Sequence, residues 1–387
     1  MIFTIHAWQI AGYVKLKRRF ARKLDKMILS KFSSINKFSK ICGINRKSIE
    51  GICQRNLKGH HGFTKTYRLF KITDFLKISR KHLEKQIEFY MDSKTGAYNR
   101  IYHNPFPFKI TPLVIRLVAH LIGDGSVGNG NFRYSQQNVD YIQKLSEILT
   151  NPVKNLKKSK ILNKDGTFKE FQFNIPSFVI KSVSSSLNIN VVNIKNHIFL
   201  EKCLNLQKDY KIQVLCAIFV DEGSVEGKTI RMSDKKVVQK ICDLIDSLGY
   251  KRGEMTSFSN ILYYNDIPYI AKTYNVQFWA IGLKKFLVDI KNSIKKYGPF
   301  AGLWNKQSNL KNKVKSHDFE YIENIDKFRV LKENIKKELR RKKILKLRDV
   351  IKNSKRKRES VEYLFKSLVE EGAAINIGRG IYLYDKK

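Results

Sequence analysis

Two related segments decide the fold of this chain: RLVAHLIGDGSV at residues 116–127 and QVLCAIFVDEGSV at residues 213–225. Each is an apolar run of helical length that ends in a carboxylate followed by Gly-Ser-Val. A helix that is apolar on all sides is buried, so both segments are predicted to be core helices. Their carboxylates, Asp124 and Glu222, stand 98 positions apart (222 − 124), about the length of one small α/β unit. We therefore predict that one unit has been duplicated.

The same order of elements follows each segment. A strand-like run comes first in each repeat, NFRYSQQ (131–137) or TIRMSD (229–234). An amphipathic helix follows, VDYIQKLSEIL or KKVVQKICDLIDSL, and then further strand-like sequence, FKEFQFNI or KTYNVQFWAIG. This order predicts an α+β fold in which the unit αββαββα occurs twice with pseudo-symmetry. Repeat 1 is expected to span residues 110–210, and repeat 2 residues 211–312.

Small residues near the end of each helical run allow two helices to approach closely. Ala119 and Gly123 are spaced i,i+4, and Ala217 is the small residue of the second run. Such spacing is typical of paired helices whose backbones touch. The closing glycines, Gly125 and Gly223, are suited to a left-handed residue just after a helix.

The two carboxylates are electrostatically unfavourable unless a cation lies beside them. A negative charge at a helix C-terminus costs ~0.3–1 kcal/mol, and two paired helices would bring Asp124 and Glu222 face to face, where like charges repel. Oxygen ligands favour Mg²⁺, with Mn²⁺ or Ca²⁺ as alternatives. Both acids are therefore predicted metal ligands.

The nonapeptides LVAHLIGDG and LCAIFVDEG resemble the paired motifs of LAGLIDADG homing endonucleases and intron maturases. The resemblance covers roughly residues 110–312. It implies that the motif helices form the interface between two αββαββα halves, that the sheets form a saddle over DNA, and that Asp124 and Glu222 are catalytic metal ligands. It also matches Lys306 to the family's central catalytic lysine; an ordinary phosphate-contacting or solvated lysine is the alternative.

Repeat 2 departs from the family pattern just before its acid. Asp221 occupies a position that is usually small, as Gly123 is in repeat 1. Either Asp221 turns outward or it shares the ligand role; Glu222 is the favoured ligand because it aligns with Asp124. His120 stands at a normally apolar position and is expected to be a satisfied core residue without a catalytic role.

The first strands of each repeat are expected to contact DNA. Alternation places polar side chains on one face, opposite Phe132, Tyr134, Ile230 and Met232. Arginine, glutamine, serine and threonine suit base edges in the major groove, although a solvated sheet face is the alternative for each. The predicted DNA-contacting residues are Arg133, Ser135, Gln137, Thr229, Arg231 and Ser233. Gln136 and Gln137 are equally consistent with a place near the acids and with reading the sheet face.

Two further regions flank the repeats. Residues 1–95 are predicted to be helical and helix-turn-helix-like: FSKICGINRKSIEGICQRN predicts a helix ending near Cys42 and a second from about Arg46, with Arg46 and Lys47 offered to DNA. An ordinary αα-hairpin is the alternative. YHNPFPFKITP is interpreted as a linker. Residues 313–387 are predicted to be a basic helical extension whose end, SVEYLFKSLVEEGAAINIGRGIYLY, fits either a winged helix or a simple C-terminal hairpin.

Composition favours a polyanionic partner. The chain of 387 residues has 75 Lys and Arg against 34 Asp and Glu, a formal net charge of +41, which a polyanion would neutralise. Five scattered cysteines are expected to be buried thiols in a reducing compartment. No apolar run has the length of a membrane span, and the N-terminus lacks signal-peptide order. We expect an intracellular protein, in a prokaryotic cytoplasm or an organelle matrix.

The resemblance, together with the paired acids and the positive charge, implies a site-specific endonuclease that hydrolyses double-stranded DNA as a monomer with a divalent metal. The first alternative is a maturase of the same fold that binds intron RNA. The second is a DNA-binding regulator without catalysis. Intact acids in both repeats favour the nuclease, because neither alternative requires them.

Overall fold

The computed structural model describes residues 3–55, 62–92, 101–128, 131–147, 158–264, 267–354, 358–378 and 380–384. The chain is mixed α/β and divides into two compact units, unit 1 (Met1–Leu310) and unit 2 (Lys311–Lys387). None of the described helices combines the length and apolar character needed to traverse a bilayer. All five cysteines are buried free thiols, as expected.

The described helices are α1 (Arg18–Phe32), α2 (Ile35–Cys42), α3 (Arg46–Ile52), α4 (Thr66–Phe75), α5 (Arg80–Glu84), α6 (Pro112–Ala119), α7 (Val139–Glu147), α8 (Ser177–Leu187), α9 (His197–Cys203), α10 (Lys208–Glu222), α11 (Lys235–Ser247), α12 (Ala280–Tyr297), α13 (Lys306–Lys342), α14 (Leu347–Ser354) and α15 (Arg358–Glu370). The described strands are β1 (Phe3–Ile5), β2 (Tyr13–Leu16), β3 (Thr64–Lys65), β4 (Ile87–Met91), β5 (Ile101–His103), β6 (Phe108–Ile110), β7 (Gly125–Gly128), β8 (Asn131–Gln136), β9 (Lys158–Leu162), β10 (Phe168–Asn174), β11 (Gly223–Ser224), β12 (Thr229–Met232), β13 (Thr256–Tyr264), β14 (Ile267–Gln277), β15 (Ile344–Lys346), β16 (Ala374–Asn376) and β17 (Ile381–Tyr384).

Two antiparallel sheets of identical topology form the centre of unit 1. Their strand orders are β7-β8-β10-β9 and β11-β12-β14-β13. In each, the motif helix comes first (α6 or α10), a helix separates the strand pairs (α7 or α11), and another follows them (α8 or α12). The registers also correspond, since Gly125 lies opposite Tyr134 and Gly223 opposite Ile230. The order αββαββα is therefore present twice.

The motif helices α6 and α10 pack against each other in the core, but they end differently. Helix α10 continues to Glu222, and its residues from Ile212 to Val220 are buried. Helix α6 ends at Ala119, short of the acid expected at its end. The following residues form tighter i→i+3 turns, in which the amides of Leu121 and Ile122 donate to the carbonyls of Val118 and Ala119. Such turns are common where a helix tightens at its end.

The closing glycines do not adopt the left-handed conformation that the sequence predicts. Gly223 has φ −83° and ψ 136°, and Gly125 has no positive φ. Both are instead required by close approach. A Cβ on Gly125 would lie 2.3 Å from Leu121 Cα, and one on Gly223 would lie 2.3 Å from the Phe219 carbonyl oxygen. Each glycine lets a strand begin directly against the last turn of the motif segment.

The N-terminal region contains more than helices. A four-stranded sheet of order β3-β2-β4-β5 and a ladder between β1 and β6 run through it. The interpretation of YHNPFPFKITP as a linker is wrong, because β5 pairs with β4 and β6 pairs with β1. Its aromatic side chains supply the reason: Tyr102, Phe106 and Phe108 pack around Phe178 of α8. The stretch joins the N-terminal region to repeat 1 through a shared core.

Helices α2 and α3 have the boundaries that the sequence predicts. Helix α2 ends at Cys42, and Gly43 takes the left-handed conformation with φ 63°. Asn45 caps α3, its side chain accepting from the amide of Lys47 at 2.8 Å. Lys47 is exposed, and Arg46 is ion-paired with Glu50 at 2.7 Å. Binding of DNA by these residues stays a prediction.

Unit 2 has its own core and a three-stranded sheet of order β15-β17-β16. Strand β15 pairs with β17, so the C-terminal strands are part of a sheet rather than an isolated hairpin. The element order of this unit is the end of α13, then β15, α14, α15, β16 and β17, and the winged helix stays a prediction. Its buried residues include Leu339, Leu345, Val361, Leu364, Phe365, Leu368 and Tyr382.

Candidate active site

Asp124 and Glu222 carry carboxyl groups whose surroundings disfavour negative charge. Glu222 is half-buried, whereas Asp124 is exposed over a larger part of its surface. Partial burial raises the pKa of Asp124 to about 6, and the charge of Asp221 adds to the effect. Partial burial likewise raises the pKa of Glu222 to about 7, with further contributions from Asp124 and Asp221. The pair is therefore a site that a cation would stabilise.

One lysine from each repeat caps the end of that repeat's motif segment. Lys306 Nζ donates to the carbonyls of Val220 at 2.7 Å and Gly223 at 2.6 Å. Lys195 Nζ donates to the carbonyl of Gly125, which is the position equivalent to Gly223. Burial lowers the pKa of Lys306, and both lysines lower the pKa of Glu222 and of Asp124. Two cations therefore flank the two acids.

Lys306 lies beside the two acids, and its catalytic role stays a prediction; Lys195 was not predicted. Lys195 ends a short 3-10 helix (Val191–Lys195) after α8, as Lys306 begins α13 after α12. The signal for Lys195 was its place after the last helix of its repeat. The spacing in the sequence did not reveal that the two lysines are equivalent. Lys195 is 71 positions beyond Asp124 (195 − 124), whereas Lys306 is 84 positions beyond Glu222 (306 − 222).

Gln136 lies at the acid of repeat 1. Its Nε2 donates to Asp124 Oδ2 at 2.8 Å, which places it in the site rather than on the sheet face. Gln136 lies two residues after Tyr134, the partner of Gly125. The corresponding residue of repeat 2, two residues after Ile230, the partner of Gly223, is Met232. The site is therefore chemically asymmetric, because this amide donor has no polar counterpart on β12.

Asp221 turns inward, so the interpretation that it turns outward is wrong, while a shared ligand role is not tested. Its side chain is fully buried together with that of His120. His120 Nδ1 lies 2.9 Å from Asp221 Oδ2, and the Tyr134 hydroxyl donates to Asp221 Oδ1 at 2.8 Å. The position opposite is Gly123, where a Cβ would lie 2.6 Å from Asp221 Cβ. Asp221 thus fills the space that Gly123 leaves, directly beside the acids.

A relay of hydrogen bonds connects Asp221 to a buried arginine. The Tyr141 hydroxyl lies 2.9 Å from His120 Nε2 and accepts from Arg116 at 3.1 Å. Because an Asp221 carboxylate can only accept, a neutral His120 donates from Nδ1, and its Nε2 accepts from the Tyr141 hydroxyl. Burial lowers the pKa of His120, in agreement with the neutral form. His120 is a satisfied core residue as predicted, and Arg116 also donates to Gln213 at 3.2 Å.

The predicted sheet-face residues divide into two groups. Arg133 and Ser135 are half-buried on β8, while Gln137, Arg231 and Ser233 are exposed, with Gln137 and Ser233 just beyond their strands. Thr229 is 5% exposed, so its placement on the DNA face is wrong. It lies between β11 and β14 in the sheet, and the turn at Gly227 folds over its hydroxyl.

Two polar residues on the neighbouring strands share this face and were not predicted. Gln172 lies opposite Ser135 and donates to its hydroxyl at 3.2 Å. Asn275 lies opposite Arg231 and donates to Thr256 at 2.6 Å. Period-two alternation in FKEFQFNI and KTYNVQFWAIG was the available signal. The polar face is therefore wider than the first two strands of each repeat.

The donor set fits a hard divalent cation that keeps most of its ligands as water or substrate oxygen. Among the residues that the structure describes, no three His, Cys, Asp or Glu side chains converge as a complete metal cage. Mg²⁺ is commonly held by one or two carboxylates together with phosphate and water oxygens. Asp124 and Glu222, with their raised pKa values, provide such a pair.

Comparisons with known proteins give distant structural similarity only. No protein-family model matches the chain, and neither does any curated protein sequence. Similar solved structures include I-DmoI in complex with DNA and Ca, at 13% identity and a TM-score of 0.31, covering 52% of this chain and 97% of that one. They also include mesophilic variants of the homing endonuclease I-DmoI, at 13% identity and a TM-score of 0.33 over 52% and 97% of the two chains. An I-DmoI double variant with nicked target DNA and Mn has 13% identity and a TM-score of 0.31 over 48% and 97%.

Proposed function

We propose that the chain is a metal-dependent DNA endonuclease of the LAGLIDADG type. The observation that carries this proposal is an arrangement found twice, at the ends of two packed segments. In each, a carboxylate (Asp124 or Glu222) precedes a tightly packed glycine whose carbonyl accepts from a lysine (Lys195 or Lys306). A structural core has no need for two charge-disfavoured acids at equivalent positions of a duplicated unit.

Duplex DNA is the substrate that the surroundings favour. The formal charge of +41 favours a polyanionic partner, and attraction to phosphates supplies a large share of the affinity in protein–DNA complexes. Arg133, Ser135, Arg231 and Ser233 offer hydrogen-bonding groups on the faces of the two sheets. The repeats are not identical, so one chain would read an asymmetric site as a monomer. Arg46 and Lys47 of α3 would add contacts outside that site.

The chain's own residues would position substrate and protons. Asp124 and Glu222 would hold Mg²⁺, which polarises the phosphodiester and favours the attacking hydroxide. Lys195 and Lys306 would place positive charge near the phosphate oxygens, where negative charge develops. Gln136 orients the Asp124 carboxylate through its 2.8 Å hydrogen bond. The buried Asp221–His120 pair fixes the spacing of the two segments without touching substrate.

The test is cleavage of a randomised duplex library with Mg²⁺, followed by sequencing of the cut ends. The unaltered chain should cut a single asymmetric sequence. Asp124→Asn and Glu222→Gln should each abolish cutting and change DNA affinity by less than severalfold, because neither acid contacts phosphate directly. Asp140→Asn, at an exposed acid of α7, is the matched control and should cut normally.

Several outcomes would contradict the proposal. Cutting by Asp124→Asn at the rate of the unaltered chain would remove the catalytic role of the acids. Duplex binding without cutting would favour the DNA-binding regulator. Selective binding of a structured RNA, without DNA cleavage, would favour the maturase.

A further inference from the structure

Helix α15 of unit 2 has a buried face and an open face. Helices α14 and α15 follow one another closely in the chain. Helix α15 buries Val361, Leu364, Phe365 and Leu368 in the core of the unit. Its other face turns outward at Lys366 and Val369.

The open face of α15 is the floor of a cationic groove. The charged side chains that line the groove are Lys346, Arg348, Arg358, Lys366 and Glu362. They amount to four cations and one carboxylate, and the carboxylate is already paired with Arg358 at 2.7 Å. The charged lining of the groove therefore has a net charge of +3 (4 − 1).

Strand β17 forms a wall of the groove and packs on α15, which forms the floor. Tyr382 on β17 stacks on Phe365 of α15, with ring centroids 4.1 Å apart and planes 20° from parallel. Lys332 of α13 donates to Ser367 at 2.8 Å and pairs with Glu371 just beyond α15. A preformed surface loses little conformational entropy when a rigid partner binds.

We propose that this groove is a second duplex-DNA contact, separate from the sheets that would present DNA to the acids. The choice of DNA rests on the proposed function and on charge. Residues 311–387 contain 23 Lys and Arg and 12 Asp and Glu, a net charge of +11 (23 − 12). A charge of this sign and size suits a phosphate backbone running along the groove. The contact would anchor the enzyme on flanking DNA and add affinity without adding base recognition at the cut site.

The test is binding of the full-length chain to a labelled duplex of random sequence, in chelator, across a salt series. Arg348→Gln/Lys366→Gln removes two cations from the groove. Lys336→Gln/Arg340→Gln removes the same charge from α13, outside the groove lining. The groove variant should lose affinity by about tenfold or more near 0.1 M salt, and its log–log salt slope should fall by about 2. The α13 variant should change much less.

Arg348 is largely exposed in its contact with Asp349, and Lys366 is exposed, so neither substitution should change the thermal midpoint by more than the control does. Equal losses in both variants would mean that unit 2 acts only through its overall charge, and no loss in either would remove the DNA contact; both overturn the proposal. Lost binding of a labelled polyglutamate peptide, with DNA binding intact, would assign the groove to an acidic protein instead. Because binding is measured in chelator, failure of cleavage in the unaltered chain would contradict the proposed function alone.

Discussion

Replacing Asp124 by asparagine should stabilise the metal-free protein. Both acids have folded-state pKa values above those of the unfolded chain, from 3.8 to about 6 for Asp124 and from 4.5 to about 7 for Glu222. An acid of this kind is destabilising only when it is ionised. The penalty is therefore absent below about pH 4, grows between about pH 4 and 7, and is complete above that range.

The size of the effect follows from the shift and the exposure. A shift of about two units in the pKa of Asp124 corresponds to about 3 kcal/mol at 1.36 kcal/mol per unit. Solvent and salt screen much of it, because much of Asp124 is exposed, so about 1–1.5 kcal/mol is expected. The helix dipole adds little, since α6 ends at Ala119. The amide of asparagine preserves shape and an acceptor for Gln136.

The assay is urea unfolding in chelator at pH 8 and at pH 4, and again at pH 8 with Mg²⁺. In chelator at pH 8 the variant should be more stable than the unaltered chain by about 1–1.5 kcal/mol. The difference should largely vanish at pH 4, where the acids are protonated. Mg²⁺ should stabilise the unaltered chain more than the variant, by mass action. The control Asp140→Asn should shift stability by less than about 0.5 kcal/mol at either pH.

A less stable Asp124→Asn variant in chelator at pH 8 would refute this reasoning. Its carboxylate would then be a structural acceptor for Gln136 rather than a strained, cation-seeking group. The metal-ligand assignment would lose its physical support, even if the fold were unchanged.

Two further predictions concern the surroundings of the acids. Asp221→Asn should destabilise the chain by about 1–3 kcal/mol at neutral pH. The reason is that a buried carboxylate accepting from His120 and Tyr134 would become an amide whose NH₂ group faces a donor. Urea unfolding measures the change, and a neutral or stabilising effect would contradict the hydrogen-bond relay. Lys195→Met and Lys306→Met should each slow single-turnover cleavage by about 10²-fold or more, with duplex affinity nearly unchanged. If only the affinity for duplex DNA fell and the cleavage rate did not, the two lysines would be ordinary phosphate contacts.

The duplication was predictable because its signals are local. Each motif segment carries its own apolar run, acid and glycine, so the repeat can be recognised without knowing what the helices pack against. Phe132 and Tyr134 are buried as the alternation in NFRYSQQ predicts. The break between α2 and α3 was equally local, since Gly43 and the Asn45 cap are neighbours in sequence.

Other features were not predictable because they depend on residues distant in sequence. The role of Asp221 follows from the register of two helices about one hundred residues apart. The two closing glycines are required by a strand pressed onto the preceding turn, which composition does not distinguish from a left-handed turn. Thr229 alternates like an outward residue, but it becomes buried once β12 is paired with β11 and β14 and the turn at Gly227 lies beside its hydroxyl.

The apposition of Gly123 and Asp221 makes the two halves of this chain non-interchangeable. If two copies of repeat 1 faced each other, glycine would oppose glycine, and each His120 would lack its acceptor. If two copies of repeat 2 faced each other, two Asp221 side chains would meet at this position. There is no room for them, because even a Cβ added to Gly123 would lie only 2.6 Å from Asp221 Cβ. The two halves of the present chain are therefore complementary at this position. Any exchange of one half for the corresponding half of a related chain must therefore carry residues 120, 123 and 221 together.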